Sequence, residues 1–241
     1  MNTPTLLPMA DWPVIRDEHE VLARGCTHAA PHIIELGCGN ARTARHWLEH
    51  MPLAQYVGLE VDTLQHAKNL QAPHPRMRFV EAGAQAIPFA DASFDLALML
   101  KSLHHVPMPL MDQALAEVAR VLKPGGGLYV SEPVYDGALN ELVRLYNDEG
   151  VVRAAAQGAV DRALQAPNSV WEEGRQERFV MPVRFENFEE FEKRMMRPTF
   201  ADHHIDDAML ERVRAVYEPH QTPEGAFFVR PMHVRWLRKK A

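Results

Sequence analysis

The sequence predicts an α/β protein: a doubly wound, mostly parallel sheet with helices on both faces. Three observations carry this reading. Short apolar runs alternate with helical patterns over the first hundred residues of a 241-residue chain. The first run, Ile33–Leu36, enters a glycine pair at Gly37 and Gly39. The run Phe94–Leu100 is apolar nearly throughout, which suits a parallel strand buried on both faces.

In chain order, Asp11–Arg24 reads as a leading helix and Ile33–Leu36 as the first strand. Ala41–His50 is a helix ended by Pro52, and Tyr56–Glu60 is the second strand. Thr63–Gln71 repeats the helical pattern, with Arg78–Glu81 and Phe94–Leu100 as the third and fourth strands. Helix Met111–Leu122 stops at Lys123-Pro124-Gly125-Gly126-Gly127, and Leu128–Ser131 is the fifth strand. Beyond Glu132 come helices Leu139–Asn147 and Val151–Leu164, which read as a lid over the substrate pocket. Strand Arg178–Phe185, helices Phe188–Met196 and Asp207–Tyr217, and a closing strand Ala226–Leu237 complete the chain. No repeat or linker separates a second unit, so residues 1–241 read as one domain. Its parts are an N-terminal helical segment (1–30), a core (31–133), a helical lid (134–177) and a C-terminal completion of the sheet (178–241).

The glycine pair points to a nucleoside ligand, because glycine lets backbone bend sharply and approach a ligand closely. The dinucleotide pattern needs a third small residue, and Arg42 stands there instead. Glu35, just before the turn, disfavours phosphate and attracts positive charge. Glu60, at the end of the next strand, stands where an acidic residue takes ribose hydroxyls.

With Ala86-Ile87-Pro88-Phe89, Ser93-Phe94-Asp95-Leu96, Leu103-His104-His105-Val106 and Leu122-Lys123-Pro124-Gly125-Gly126 following in order, the stretch Ile33–Glu132 resembles the class I methyltransferases that use S-adenosylmethionine, in their small-molecule branch. The resemblance implies a Rossmann-like sheet of seven strands, the last two an antiparallel hairpin, with the lid inserted after strand five. It implies that Glu35, Gly37, Cys38, Gly39 and Asn40 lie at the methionine and ribose end of the cofactor. Glu60 with Val61 would then hold the ribose, and Leu100 and Lys101 would run beside the ligand. An aspartate commonly binds adenine in that family; here the place falls on Gly83, followed by Ala84 and Gln85, whose amide oxygen is a substitute acceptor. S-adenosylhomocysteine would be the product.

Methyl transfer by in-line displacement needs alignment above all, and a base only for some acceptors. His104 and His105 follow strand four at its carboxyl end and are the candidate catalytic residues. Lys101 reads as a solvated strand-end lysine, with contact to an anionic substrate as the alternative. Tyr135 and Tyr146 are candidate substrate contacts; Glu132 is a weaker one. Phe188, Phe191, Met195 and Met196 read as a buried helix face. His203-His204-x-Asp206 is the densest histidine knot, but no spacing marks a metal site and none is expected. The terminal basic cluster Arg235–Lys240 reads as a solvated end.

A net charge of −6 gives no footprint for nucleic acid, so a small-molecule substrate is expected. No apolar run is long enough to cross a bilayer, and two cysteines without a leader pattern point to the cytoplasm. Oligomeric state is not encoded in any pattern. Two other readings remain: an S-adenosylmethionine-binding protein without transferase activity, and an NAD-dependent oxidoreductase, which Arg42 and Glu35 disfavour.

Overall fold

The computed structural model describes residues 9–26, 28–199 and 201–241. Its strands are β1 (His32–Leu36), β2 (Gln55–Glu60), β3 (Met77–Glu81), β4 (Phe94–Leu100), β5 (Leu122–Pro133), β6 (Trp171–Phe185), β7 (Gln221–Thr222) and β8 (Gly225–Lys239). Its α-helices are α1 (His19–Gly25), α2 (Arg42–His50), α3 (Thr63–Gln71), α4 (Met111–Val121), α5 (Ala138–Val143), α6 (Gly150–Gln165), α7 (Phe188–Phe191) and α8 (Asp207–Tyr217). The sheet order is β3-β2-β1-β4-β5-β8-β6, with the two-residue β7 paired antiparallel to β8. Seven strands thus lie on the main path, and β1 to β5 pair in parallel.

The chain divides into two compact units. One comprises Met1–Asp17, Pro133–Glu149 and Glu177–His233; the other comprises Glu18–Glu132, Gly150–Gln176 and Val234–Ala241. The segment read as a lid contributes to both, α5 to the first and α6 to the second.

In the second unit, β4 carries the burial expected of a central parallel strand, with only Asp95 partly exposed. Its residues join Ile34, Leu36, Val57, Leu59, Leu115, Val118, Leu128 and Val130 in one core, to which Ala156, Ala159 and Val160 of α6 also belong. α6 packs on α4 and on the turn Leu103–His105. α3 begins at the residue expected because the Asp62 carboxylate accepts from Leu64 N–H at 2.9 Å and Gln65 N–H at 3.2 Å. In the first unit, Phe185, Phe188, Phe191, Met196, Tyr217 and Phe228 form a separate aromatic core, so the expected buried helix face is present.

Several elements depart from the sequence reading. The leading helix starts at His19 rather than Asp11. Pro13 draws its predecessor away from helical geometry, and the chain there runs extended, with Ile15 N–H donating to Val180 O and Val180 N–H to Pro13 O. β5 begins at Leu122, because the Lys-Pro-Gly-Gly stretch is a bulge inside the strand: Leu122 pairs with Phe94 and Gly127 with Leu96. β6 starts at Trp171, its polar first half held by backbone pairing. Gly174 lets it pass Trp236, whose carbonyl oxygen would stand 3.0 Å from a Cβ there. The helix at Phe188 runs into a π-helical turn over Glu192–Met196.

The basic C-terminus is not solvated throughout. Arg235 is buried and binds Asp161 at 2.5 Å and Glu173 at 2.9 Å, and Lys239 Nζ donates to Leu122 O at 2.7 Å. Strand pairing carries these side chains inward, which composition cannot show.

Candidate active site

β1 ends at the glycine turn. Gly37 and Gly39 have φ of +70° and +52°, and Ala41 enters α2 at +53°. A Cβ on Gly37 would stand 2.9 Å from Ser102 Cβ, so glycine is required on grounds of both conformation and space. On Gly39 a Cβ would meet nothing within 4 Å. The turn is therefore open on that side.

Glu60, at the end of β2, reaches back under the turn. Its Oε2 accepts from Gly39 N–H at 2.7 Å, and its Oε1 accepts from Val61 and Asp62 N–H, each at 2.9 Å. A carboxylate has about four lone-pair positions, so about one on Oε2 is left for a ligand hydroxyl. Val61 is exposed beside it.

Other residues expected at the cradle contribute differently. The Cys38 side chain is buried against Gly58, and burial pushes its thiol well above the ordinary range. Its Sγ donates to Gly39 O at 3.6 Å, and Cys38 N–H donates to Leu59 O of β2. Asn40 Oδ1 accepts from Arg42 N–H at 3.1 Å, closing the start of α2. Glu35 is not presented as an open anion. Burial pushes its carboxyl up to about 7, opposed by the Tyr56 hydroxyl that donates to Oε2 at 2.6 Å.

The Glu35 shift has a stability consequence. The folded carboxyl holds its proton to about pH 7, whereas the ordinary value is 4.5. Its contribution is therefore complete below the lower value and lost as pH rises through the upper one. Glu35→Gln is expected to raise the thermal midpoint relative to the parent protein above pH 7, with the gain shrinking on acidification, in melts run across pH. A difference independent of pH would refute the assignment.

Past β3, Gln85 lies over Gly83: a Cβ on Gly83 would stand 2.5 Å from Gln85 Oε1. The carboxamide thus occupies the space that a side chain at position 83 would need. Ala84 is buried and offers backbone only. The following loop is fixed by α4, where Arg120 donates to Ile87 O at 2.9 Å, Phe89 O at 2.7 Å and Asp91 Oδ1 at 2.8 Å. Gln113 Nε2 holds Gln85 O at 2.8 Å.

Past β4 the chain turns at Lys101, with φ of +58°. Its side chain is 29% exposed, and Nζ donates to buried Glu18 Oε2 at 2.7 Å, so the ammonium is ion-paired rather than simply solvated. Glu18 also accepts from Tyr129 OH at 3.1 Å. Burial raises the pKa of Glu18, but the Lys101 charge and the hydrogen bonds outweigh it and leave the carboxyl below its usual range. Leu100 is buried. Ser102 Oγ donates to Leu36 O at 2.6 Å, bracing the end of β1.

A short 3-10 turn, Leu103–His105, carries both histidines. His104 is buried and its Nδ1 bonds Glu132 Oε2, while Glu132 Oε1 accepts from Leu103 N–H at 2.9 Å. Glu132 is 1% exposed, so this carboxylate is committed to its two partners rather than to a substrate. A carboxylate only accepts, so a neutral His104 carries its proton on Nδ1 and its lone pair on Nε2. His105 is exposed, its ring centroid 4.1 Å from that of His104.

Tyr135 and Tyr146 lie in the other unit. Tyr135 OH donates to Asp148 at 2.7 Å, and Tyr146 OH donates to Met195 O at 3.1 Å with its ring against His203. His203, pushed down by burial, also borders a cleft of about 430 Å³ with Arg197, Asp202 and Ile205. His204 Nδ1 sits 3.2 Å from Asp202.

Ser102, Glu18, Tyr56 and the orienting role of Glu132 escaped the sequence reading. Each acts across the sheet, where only pairing reveals the partner.

Residues 34–130 match the model of a methyltransferase domain. A phthiotriol/phenolphthiotriol dimycocerosates methyltransferase of Mycobacterium ulcerans is 33% identical over 122 residues, which are 48% of this chain and 44% of that protein. Matches to the curated relatives span 35% to 50% of their lengths. In the solved structures, the YcgJ protein of Bacillus subtilis superposes with a TM-score of 0.62 at 16% identity, covering 93% of this chain and 98% of that one. The [4+2]-cyclase SpnF superposes with a TM-score of 0.56 at 20% identity, over 92% and 80% of the two chains.

The fold is a Rossmann-like, mostly parallel sheet. Within it, residues 34–130 are similar to a methyltransferase domain. No helix among the described residues is long and apolar enough to cross a membrane.

Proposed function

We propose that the protein transfers a methyl group from S-adenosylmethionine to a small-molecule acceptor. The observation that carries this reading is the Glu60 carboxylate seated on Gly39 N–H, beside a turn with open space at Gly39. When bound, S-adenosylmethionine supplies a methyl carbon activated by a sulfonium.

The residues present fit that ligand. Glu60 keeps a lone pair for a ribose hydroxyl, and the glycine turn gives the backbone close approach. Gln85 offers an amide oxygen to the adenine amino group. His104, with Nε2 as the acceptor, takes the proton of a hydroxyl or amine, and Glu132 stabilises the resulting imidazolium. The helix α6 packed on this turn contributes to excluding water. The net charge of −6 favours an acceptor without a phosphate backbone. Cys26 and Cys38 are free thiols, which accords with a reducing, cytoplasmic setting.

Calorimetric titration with S-adenosylmethionine, S-adenosylhomocysteine and NAD tests the cofactor, and mass spectrometry of hydroxylated and amino acceptors tests transfer. Both adenosyl ligands are expected to bind and NAD is not. Failure of both adenosyl ligands refutes the proposal.

Glycine at position 83 favours a second reading, binding without transfer, since the same fold is carried by a protein described as a cyclase. Tight adenosyl binding with no methylated product from any acceptor would select it.

A further inference from the structure

We propose that His19, His46 and His50 bind one divalent zinc-class ion and staple α1 to α2. The three lie away from the glycine cradle and take no part in the methyl-transfer reading, so the two stand or fall separately.

One candidate ligand atom from each imidazole lies within 4.8 Å of the other two. The ring centroids are 5.2 Å apart for His19 and His46, 4.8 Å for His19 and His50, and 4.7 Å for His46 and His50. Zinc–imidazole bonds near 2.0–2.1 Å place tetrahedral donors about 3.3 Å apart, so closure needs displacements of about 1 Å. Side chains that are half-buried or exposed, as these are, make such movements by small rotations.

Two features prepare the rings as ligands. His50 Nδ1 lies 3.0 Å from His46 O; a carbonyl only accepts, so Nδ1 carries the proton and Nε2 keeps the lone pair. His46 Nδ1 faces Glu49 Oε2 at 3.5 Å, the carboxylate–histidine relation that orients metal-bound imidazoles. His46 and His50 are four residues apart on α2 and so project from one face, while His19 opens α1 and its ring meets Trp47 edge-on. An all-imidazole set suits zinc, copper, nickel or cobalt and is unsuited to magnesium or calcium. Water would fill the fourth position at the exposed His50. The i,i+4 pair His46 and His50 is legible in the sequence, but His19 joins it only when folding brings α1 onto α2.

The staple would tie together the two flanks of the cradle: α2 starts at the glycine turn, and Glu18, next to His19, holds Lys101. The test uses the full chain, stripped with a chelator and titrated with zinc by calorimetry, with cobalt absorption as a report of geometry. Expected are one zinc per chain, a higher thermal midpoint with zinc but not magnesium, and weakening by at least about tenfold in His46→Ala and His50→Ala. His204→Ala is the control and leaves zinc binding unchanged. His50 is exposed, so its variant is expected to fold normally, as circular dichroism would verify. No saturable uptake at micromolar zinc overturns the proposal. So does uptake that survives His50→Ala or is lost in His204→Ala.

Discussion

Replacing Glu60 by alanine is expected to raise the dissociation constant for S-adenosylhomocysteine by roughly 10- to 100-fold. A hydrogen bond to a charged group is worth about 1.5–3 kcal/mol, and about 1.4 kcal/mol is tenfold in affinity. The substitution does more than remove a ligand contact, because the same carboxylate accepts from Gly39, Val61 and Asp62. Removing it leaves those three donors to water, so the variant is also expected to lose about 1–3 kcal/mol of stability in denaturant titrations. Glu60→Gln separates the two effects, because one amide oxygen still accepts from the turn while its amino group faces donors. An unchanged dissociation constant in both variants would remove Glu60 from the cofactor site.

Changing Glu132 to glutamine is expected to abolish most transfer while preserving cofactor affinity. The carboxamide introduced by Glu132→Gln can still accept from Leu103 N–H, and its amino group then faces His104 Nδ1. That donor forces the imidazole to accept at Nδ1 and carry its proton on Nε2, where the base is needed. Turnover should fall by about 10²–10⁴, the range attributed to a lost general base, and His104→Ala should fall as far. The double variant should be no worse than either single one, because the two residues act as a unit. S-adenosylhomocysteine binding within about twofold of the parent would accompany these losses. Should turnover persist in His104→Ala, the buried pair is an architectural brace and the acceptor ionises unaided. Removal of one partner from a buried charged pair can cost about 3–5 kcal/mol, so stability must be measured alongside.

Much of the β1 to β4 region was legible in the sequence because its signals are local. The glycine pair declares a left-handed turn whose Gly37 leaves no room for a Cβ, Asp62 announces α3, and the apolar run of β4 states its own burial. Glu60 was expected at a strand end, and β2 does end there. The failures share one cause, pairing between distant segments. Pro13 to Ile15 looked helical until their bonds to Val180 made them extended. Lys101 looked solvated because nothing nearby in sequence points to Glu18. The polar start of β6 lacks alternation, so only backbone pairing makes it a strand. Arg235 looked like part of a charged tail, yet Asp161 and Glu173 draw it in. Tyr135 and Tyr146 were chosen by position alone, and in their own unit their hydroxyls are engaged by Asp148 and Met195.

Ser102 gives the arrangement a mechanical property. Its hydroxyl grips the last carbonyl of β1, its Cβ fills the space beneath Gly37, and the next residue opens the turn that carries His104. In the proposed reaction, the turn that would seat the methyl donor and the histidine that would accept the proton are thus bolted to one short length of backbone. Their spacing would then be a fixed gauge, cut when the chain folds, and selectivity would come from which acceptors span it.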